Sequence, residues 1–190
     1  MTDTRITTEE QLRELVEPPH PHIRDKALTV IDEETARFLA ASTFFVLATT
    51  GADGSMDVSP RGETPGGVQV LDDRTVAFVD RPGNRRLDSF RNILQHPRVG
   101  MLFIVPGMRE CVRLNGVATL LRDPSFAPAG VRGTAIGVTV AVQEMFVHCG
   151  QALRRSSLWD PAGWPDAAIV PSPADLIAGQ RRLRPSHAEA

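Results

Sequence analysis

Apolar and polar positions alternate along most of the chain between residues 43 and 148, and the period switches only at a few places. TFFVLATT at 43–50 is β-branched and aromatic, GADG at 51–54 supplies turn residues, and SMDVSP resumes an extended pattern, which predicts a hairpin. GGVQVLDD and RTVAFVD, together residues 66–80, predict a second hairpin around Asp72-Asp73-Arg74. RVGMLFIVPG, RECVRLNGVATLLRD and GVTVAVQEMFVHC read as three further long strands, separated by Gly107-Met108-Arg109 and by a Pro/Gly-rich segment at 124–133.

Helical periodicity is confined to short stretches. TTEEQLRELVE, with Thr7 or Thr8 ahead of acidic first-turn residues, predicts a capped helix that Pro18 and Pro19 end, and a short arm follows. DEETARFLAA at 32–41 predicts a second helix behind Asp32. In RRLDSFRNILQHP the residues Leu87, Phe90, Ile93 and Leu94 fall at helix spacing, giving a helix over 85–95 that opens out of a strand and a glycine turn. His148 to Trp159 continues from a strand end into a short helix, and PSPADLIAGQ predicts a last one. Antiparallel strands at short spacing with one inserted helix argue for a small barrel, since no strand–helix–strand alternation supports a doubly wound sheet. The expected organisation is an N-terminal helix and arm at 1–30, a barrel domain at 31–160 and a C-terminal extension at 161–190.

Composition narrows the chemistry. The 190 residues suit one domain with terminal extensions, and 42% hydrophobic with 23% charged residues suits an ordinary globule. Twenty-one basic against 23 acidic residues leave a net charge of -2, so no global field attracts nucleic acid or acidic lipid, and any anion has to be held locally. Lys26 is the only lysine, and there is no tyrosine to act as a phenolic acid or base. Cys111 and Cys149 lack metal-binding or disulfide-framework spacing, and His20 with His22 lacks a third ligand, so no metal is expected. The N-terminus has no signal-peptide pattern and no apolar run is long enough for a membrane span, so the expected setting is cytoplasmic, away from membranes.

Three segments carry candidate chemistry. Asp80 to Ser89, DRPGNRRLDS, combines a strand end, a glycine turn and a helix start with three arginines, the ingredients of a phosphate cradle. The plainer alternative is that Asn84 caps the helix and the arginines are a solvated face. Ser59-Pro60-Arg61-Gly62 could place an arginine in the same groove or leave it exposed on an edge. Arg154-Arg155-Ser156-Ser157 beside Trp159 could hold an anion and stack a ring, or the Trp could simply pack. No nucleophile motif is present, and His148 and Cys149, adjacent on a strand, point to opposite faces. Any enzymatic activity would therefore belong to a bound organic cofactor.

The order of LATTGADGSMDVSPRG, a hairpin, DRPGNRRLDSFRNILQHPRVGMLFIVPG and RECVRLNGVATLLRD resembles the pyridoxamine 5'-phosphate oxidase-like FMN-binding proteins. It is most similar to a bacterial branch of flavoproteins that also carry an HCxxAxxRSxLW-type segment, here His148 to Trp159, and the likeness spans roughly Ile31 to Trp159. It implies a six-stranded antiparallel split β-barrel with flanking helices, a homodimer, and FMN held in grooves between subunits. Carried onto this chain, the strand position of the phosphate grip falls on Arg61 and the turn's Ser-x-Lys pair on Asn84 and Arg86, with the longer helix leaving Arg85, Arg86 and Ser89 as alternatives for the phosphate contact; Arg155, Ser156 and Trp159 are the further cofactor-binding candidates, from the later segment. The helix after Arg86 is about three residues longer than in the true oxidases, and Gly62-Glu63-Thr64-Pro65-Gly66-Gly67 lacks the branch's usual aromatic, which would open the groove.

The resemblance implies an FMN-dependent oxidoreductase acting on an unidentified small molecule, with no catalytic residue assigned. The alternatives are an F420-dependent reductase on the same barrel and a non-catalytic flavin-binding or sensing protein. Oxidation of pyridoxamine phosphate itself is a poor match, because the tyrosine of the true oxidases has no counterpart here and the C-terminal RRLRP is a superficial likeness.

Overall fold

The computed structural model describes residues 4–127 and 135–183. Most of the Pro/Gly-rich segment at 124–133, and Arg184-Pro185 with the end of the tail, lie outside the described residues. By internal contacts the chain divides into two units, Met1–Cys149 and Gly150–Ala190.

The first unit contains helices α1 (Glu9–Leu15), α2 (Pro21–Arg24) and α3 (Glu33–Ala41), followed by strands β1 (Phe44–Thr50), β2 (Met56–Gly62), β3 (Gln69–Asp72) and β4 (Thr75–Val79). Helix α4 (Asp88–Gln95) then leads to β5 (Arg98–Ile104), β6 (Cys111–Arg122) and β7 (Ile136–His148). The four-residue α2 falls in what the pattern suggested was an irregular arm; Pro21 at its first position supplies a preset helical φ. Asp32 caps α3 as expected, accepting from the Thr35 N–H and Thr35 Oγ1, both at 2.8 Å.

The strands form one antiparallel sheet in the order β2-β1-β5-β6-β7-β4-β3. This corrects the expected six-stranded split β-barrel in two respects. Among the described residues there are seven strands, the number the two hairpins and three long strands of the pattern give and one more than the resemblance implied, and the long β7 is shared between β6 and β4. The edges β2 and β3 share no ladder among the described residues, because the connection between them folds back onto α3, with the Gly66 N–H donating to the Ala40 carbonyl at 2.7 Å.

The open sheet is nonetheless strongly curled. The rings of Phe45 on β1 and Phe78 on β4 meet edge-on with centroids 5.0 Å apart. Four strand spacings would separate β1 from β4 by about 19 Å in a flat sheet. A bulge between Asn115 and Gly116 helps the long β6–β7 pair to bend. The concave side holds the core, with Leu47, Val76, Phe103, Leu114, Val138 and Val140 fully buried, while Phe90 and Ile93 of α4 join it from one end. The second unit contains α5 (Gln151–Arg155), two single-turn helices at Pro161–Gly163 and Ala167–Ile169, and α6 (Pro173–Arg182), capped by Ser172.

Candidate functional site

On β2 the usual arrangement is inverted. Asp57, Ser59 and Arg61 are half-buried, whereas Met56, Val58 and Pro60 are exposed. The polar row borders a cleft of about 540 Å3 whose other wall is the segment from Asp80 to Asp88 between β4 and α4. A smaller cleft of about 300 Å3 adjoins it and shares Ser59, Arg61 and Arg81 to Asn84. Together they lie along the gap between β2 and the end of β4.

Arg61 is the hub. Its Nη1 donates to Asp80 Oδ1 at 3.3 Å and its Nη2 to Ser89 Oγ at 3.0 Å, while Ser89 Oγ donates to Asp57 Oδ2 at 2.7 Å. The guanidinium also lies over the Phe90 ring, 5.2 Å from its centroid. Arg61 Nε is buried and has no hydrogen-bond partner. A buried donor left unpaired costs about 1–3 kcal/mol, so the Arg61 guanidinium, on the wall of the cleft, keeps one hydrogen-bonding group unsatisfied.

A second ion pair crosses the same gap. Arg81 Nε and Nη2 donate to the two oxygens of Glu63 at 2.8 and 2.7 Å. The Glu63 carboxylate raises the Arg81 pKa above its ordinary value, chiefly by hydrogen bonding. Gly67 makes room for this pair, since a Cβ there would run into the Glu63 side chain.

The turn expected to carry a phosphate is built differently from a plain helix start. Asn84 does not cap α4; its Oδ1 accepts the Arg86 N–H at 2.9 Å and closes the turn ahead of the helix. The helix begins at Asp88, three residues later than expected, behind Leu87, which has a left-handed φ of 59° and gives no side-chain cap. Arg85 is left-handed as well, with φ 61°. Non-glycine residues in that region carry strain that the surroundings must hold in place.

These backbone turns separate the two arginines. Arg85 lines the larger cleft, and its side chain has no hydrogen bond or ion pair among the described residues. Arg86 turns away: its Nε donates to Asp88 Oδ2 at 2.6 Å, the side chain is 71% exposed, and it lines neither cleft. Ser89 is 3% exposed and central to the network. Arg155, Ser156 and Trp159 lie in the second unit, where Ser156 Oγ donates to the Leu153 carbonyl at 3.1 Å and Trp159 is partly exposed.

The structure brings the sequence candidates Arg61, Asn84, Arg85 and Ser89 into one region, together with Asp57 and Glu63 and the pairing roles of Asp80 and Arg81, which sequence reasoning missed. The period-two row Asp57, Ser59, Arg61, polar on every inward position of an otherwise apolar hairpin, was the available signal. The cleft's charges balance, with Arg61, Arg81 and Arg85 facing Asp57, Asp80 and Asp88. Elsewhere burial pushes the Cys111 thiol up, away from nucleophilic use, and Cys149 is exposed beyond the end of β7. Among the described residues no cluster of His, Cys, Asp and Glu could hold a metal ion, and no helix is long and apolar enough to cross a membrane.

Residues 31–140 match the family model described as pyridoxamine 5'-phosphate oxidase. No curated protein matches the chain. Among solved structures, a variant of HupZ from Group A Streptococcus is similar at 16% identity, over 62% of this chain and 99% of that one, with a TM-score of 0.50. An F420 reductase is similar at 18% identity, over 57% and 93% of the two chains, with a TM-score of 0.44. HutZ, the heme storage protein of Vibrio cholerae, is similar at 14% identity, over 62% and 94%, with a TM-score of 0.43.

Proposed function

The chain belongs to the pyridoxamine 5'-phosphate oxidase family, and on that premise we propose that it is an FMN-binding oxidoreductase acting on a small molecule. The observation that carries the reading is the unpartnered, buried Nε–H of Arg61 in a cleft that Arg85 also lines. A phosphate fits these residues: Arg61 and Arg85 supply charge-assisted donors, and Ser59 and Asn84 add small polar groups on the same wall. Ser89 and Asp57 hold the Arg61 guanidinium from behind, while Phe90 covers one of its faces.

The bound flavin would supply hydride transfer, leaving the protein to anchor, orient and exclude water. Arg155, Ser156 and Trp159 stay candidate cofactor-binding residues on the strength of the Arg-Arg-Ser-Ser cluster beside Trp159. The finer architecture proposed is the family's dimeric split barrel, in which this curled sheet pairs with a second copy. The exposure of Met56 and Val58, at 66% and 65% on the edge strand β2, supports an apolar outer face that a partner would cover.

The test is the absorption spectrum of the purified protein. FMN gives bands near about 370 and 450 nm, and the flavin should be released on denaturation. Reduction of the bound flavin by a nicotinamide, followed by reoxidation with oxygen or candidate substrates, then separates a catalyst from a carrier. A single band near about 420 nm would assign the deazaflavin F420 instead, and a Soret band would assign heme. Failure of added FMN to bind the colourless protein would overturn the reading.

A further inference from the structure

Arg61 is drawn on by two carboxylates. Asp80, whose side chain is 6% exposed, takes Nη1 directly, and Asp57 acts through the Ser89 hydroxyl. Asp80 thereby ties the end of β4 to β2 across the gap that no ladder closes. That attachment would need only a hydrogen-bond acceptor at Oδ1. The full negative charge, paired with the guanidinium of the cleft-lining Arg61, has a second effect, because it opposes any anion arriving there.

We propose that Asp80 determines how strongly, and for what charge, the cleft binds an anion, acting as an internal competitor for Arg61 while it holds the open seam of the sheet. The inference rests on the phosphate reading of the cleft and deepens it. Asp80 lowers the affinity for a phosphate dianion and penalises it more than a singly charged acceptor, because the repulsion scales with ligand charge. It also keeps Arg61 paired, and so soluble in the protein interior, when no ligand is bound.

The two roles respond oppositely to Asp80→Asn. The amide keeps an oxygen for Arg61 Nη1 but removes the charge. The variant should bind FMN and inorganic phosphate about tenfold more tightly than wild type, the scale expected for one buried charge removed at close range. Its thermal midpoint should fall by several degrees. Asp57→Asn, one hydroxyl further away, should tighten binding less and leave the seam pair intact; it carries the test if Asp80→Asn does not fold.

Titration calorimetry with FMN and with inorganic phosphate, alongside thermal melts, reads both effects without any activity assay. Weaker binding by Asp80→Asn would make Asp80 a positioning residue for Arg61 and overturn the proposal, as would unchanged binding with lower stability. If wild type binds FMN and neither variant binds it more tightly, competition fails and the flavin reading stands. If wild type binds inorganic phosphate but not FMN, and Asp80→Asn tightens phosphate, competition stands and the flavin reading fails. Binding of neither ligand by any of the three proteins overturns both.

Discussion

Glu63 and Arg81 form a two-point ion pair across the gap between the end of β2 and the end of β4, with both carboxylate oxygens engaged and the Glu63 side chain only 3% exposed. With Arg61 and Asp80 it fastens by side chains two parts of the sheet that share no ladder. Removing one partner strands the other in a poorly solvated place. Arg81→Ala or Glu63→Gln should therefore cost about 1–3 kcal/mol, less than a fully buried pair because Arg81 is partly exposed. The double replacement Glu63→Leu with Arg81→Met should recover most of that. Urea unfolding of the three variants measures it, and additive losses would contradict the pairing argument.

Gly116 sits at the bulge of the longest strand pair, where a Cβ would run into the Ala141 carbonyl oxygen and crowd Val140. The obstacle is backbone in a paired strand, so it cannot swing aside as a flexible side chain would. Gly116→Ala should destabilise by about 2 kcal/mol or more. Gly62→Ala, where the added methyl meets nothing within 4 Å, is the matched control and should change stability by less than about 0.5 kcal/mol in chemical denaturation.

The Asp32 cap gives a pH signature. Hydrogen bonds from the Thr35 N–H, first in effect, and the Thr35 hydroxyl lower the Asp32 pKa below the ordinary aspartate value. A carboxylate depressed on folding stabilises above its unfolded pKa, near about 3.9, and that contribution is lost as pH falls through the lower folded value. Asp32→Ala should cost about 1 kcal/mol between about pH 5 and 8, and the gap to wild type should narrow below about pH 4. A gap that stayed constant down to pH 2 would show that the loss was not the ionised cap.

The strands were legible because their pattern is local: alternation in TFFVLATT and β-branched runs in GVTVAVQEMF identify pleated, half-buried surface wherever the partners lie. The start of α4 was not. Left-handed φ is written into a sequence by glycine or asparagine, and here Arg85 and Leu87 adopt it, held by the turn that Asn84 closes. The network around Arg61 was half legible. Arg61 and Ser89 could be named, but their links run between residues 19, 28 and 32 positions apart, and spacing says nothing about which carboxylate a curled sheet brings near. The failure of β2 and β3 to pair depends on the path of the Glu63–Val68 connection, which local propensity does not encode.

The proposed dimer would use the inverted face of β2. Met56 and Val58 are exposed on the edge strand, and Phe44 on the neighbouring β1 is 38% exposed. A second copy covering this face would remove apolar surface that single-copy solubility disfavours, and C2 symmetry is the commonest closed arrangement. Light scattering at micromolar concentration should give twice the 20.7 kDa chain mass. Met56→Glu with Val58→Glu should shift the protein toward monomer with the fold intact by circular dichroism; a wild-type monomer would rule the dimer out.

The two neighbouring arginines of the β4–α4 turn should behave differently toward added FMN. Arg85 lines the cleft and makes no ion pair among the described residues, so its charge is available to a phosphate without breaking an existing contact. Arg86 is engaged by Asp88, which raises its pKa through a hydrogen bond, and it lies outside both clefts. Arg85→Ala should weaken FMN by about 1–2 kcal/mol, or roughly 5- to 30-fold, because an exposed arginine gains only part of a charge-assisted bond. Arg86→Ala should change affinity less than about twofold. Arg61→Ala should lose more than either, since it removes the buried Nε donor, and should also lower stability by breaking the tie to Asp80. Flavin fluorescence titration of the four proteins, with circular dichroism as the folding control, ranks them directly. A damaging Arg86→Ala beside a silent Arg85→Ala would mean that the turn rearranges on binding; three silent variants would remove the phosphate from this cleft.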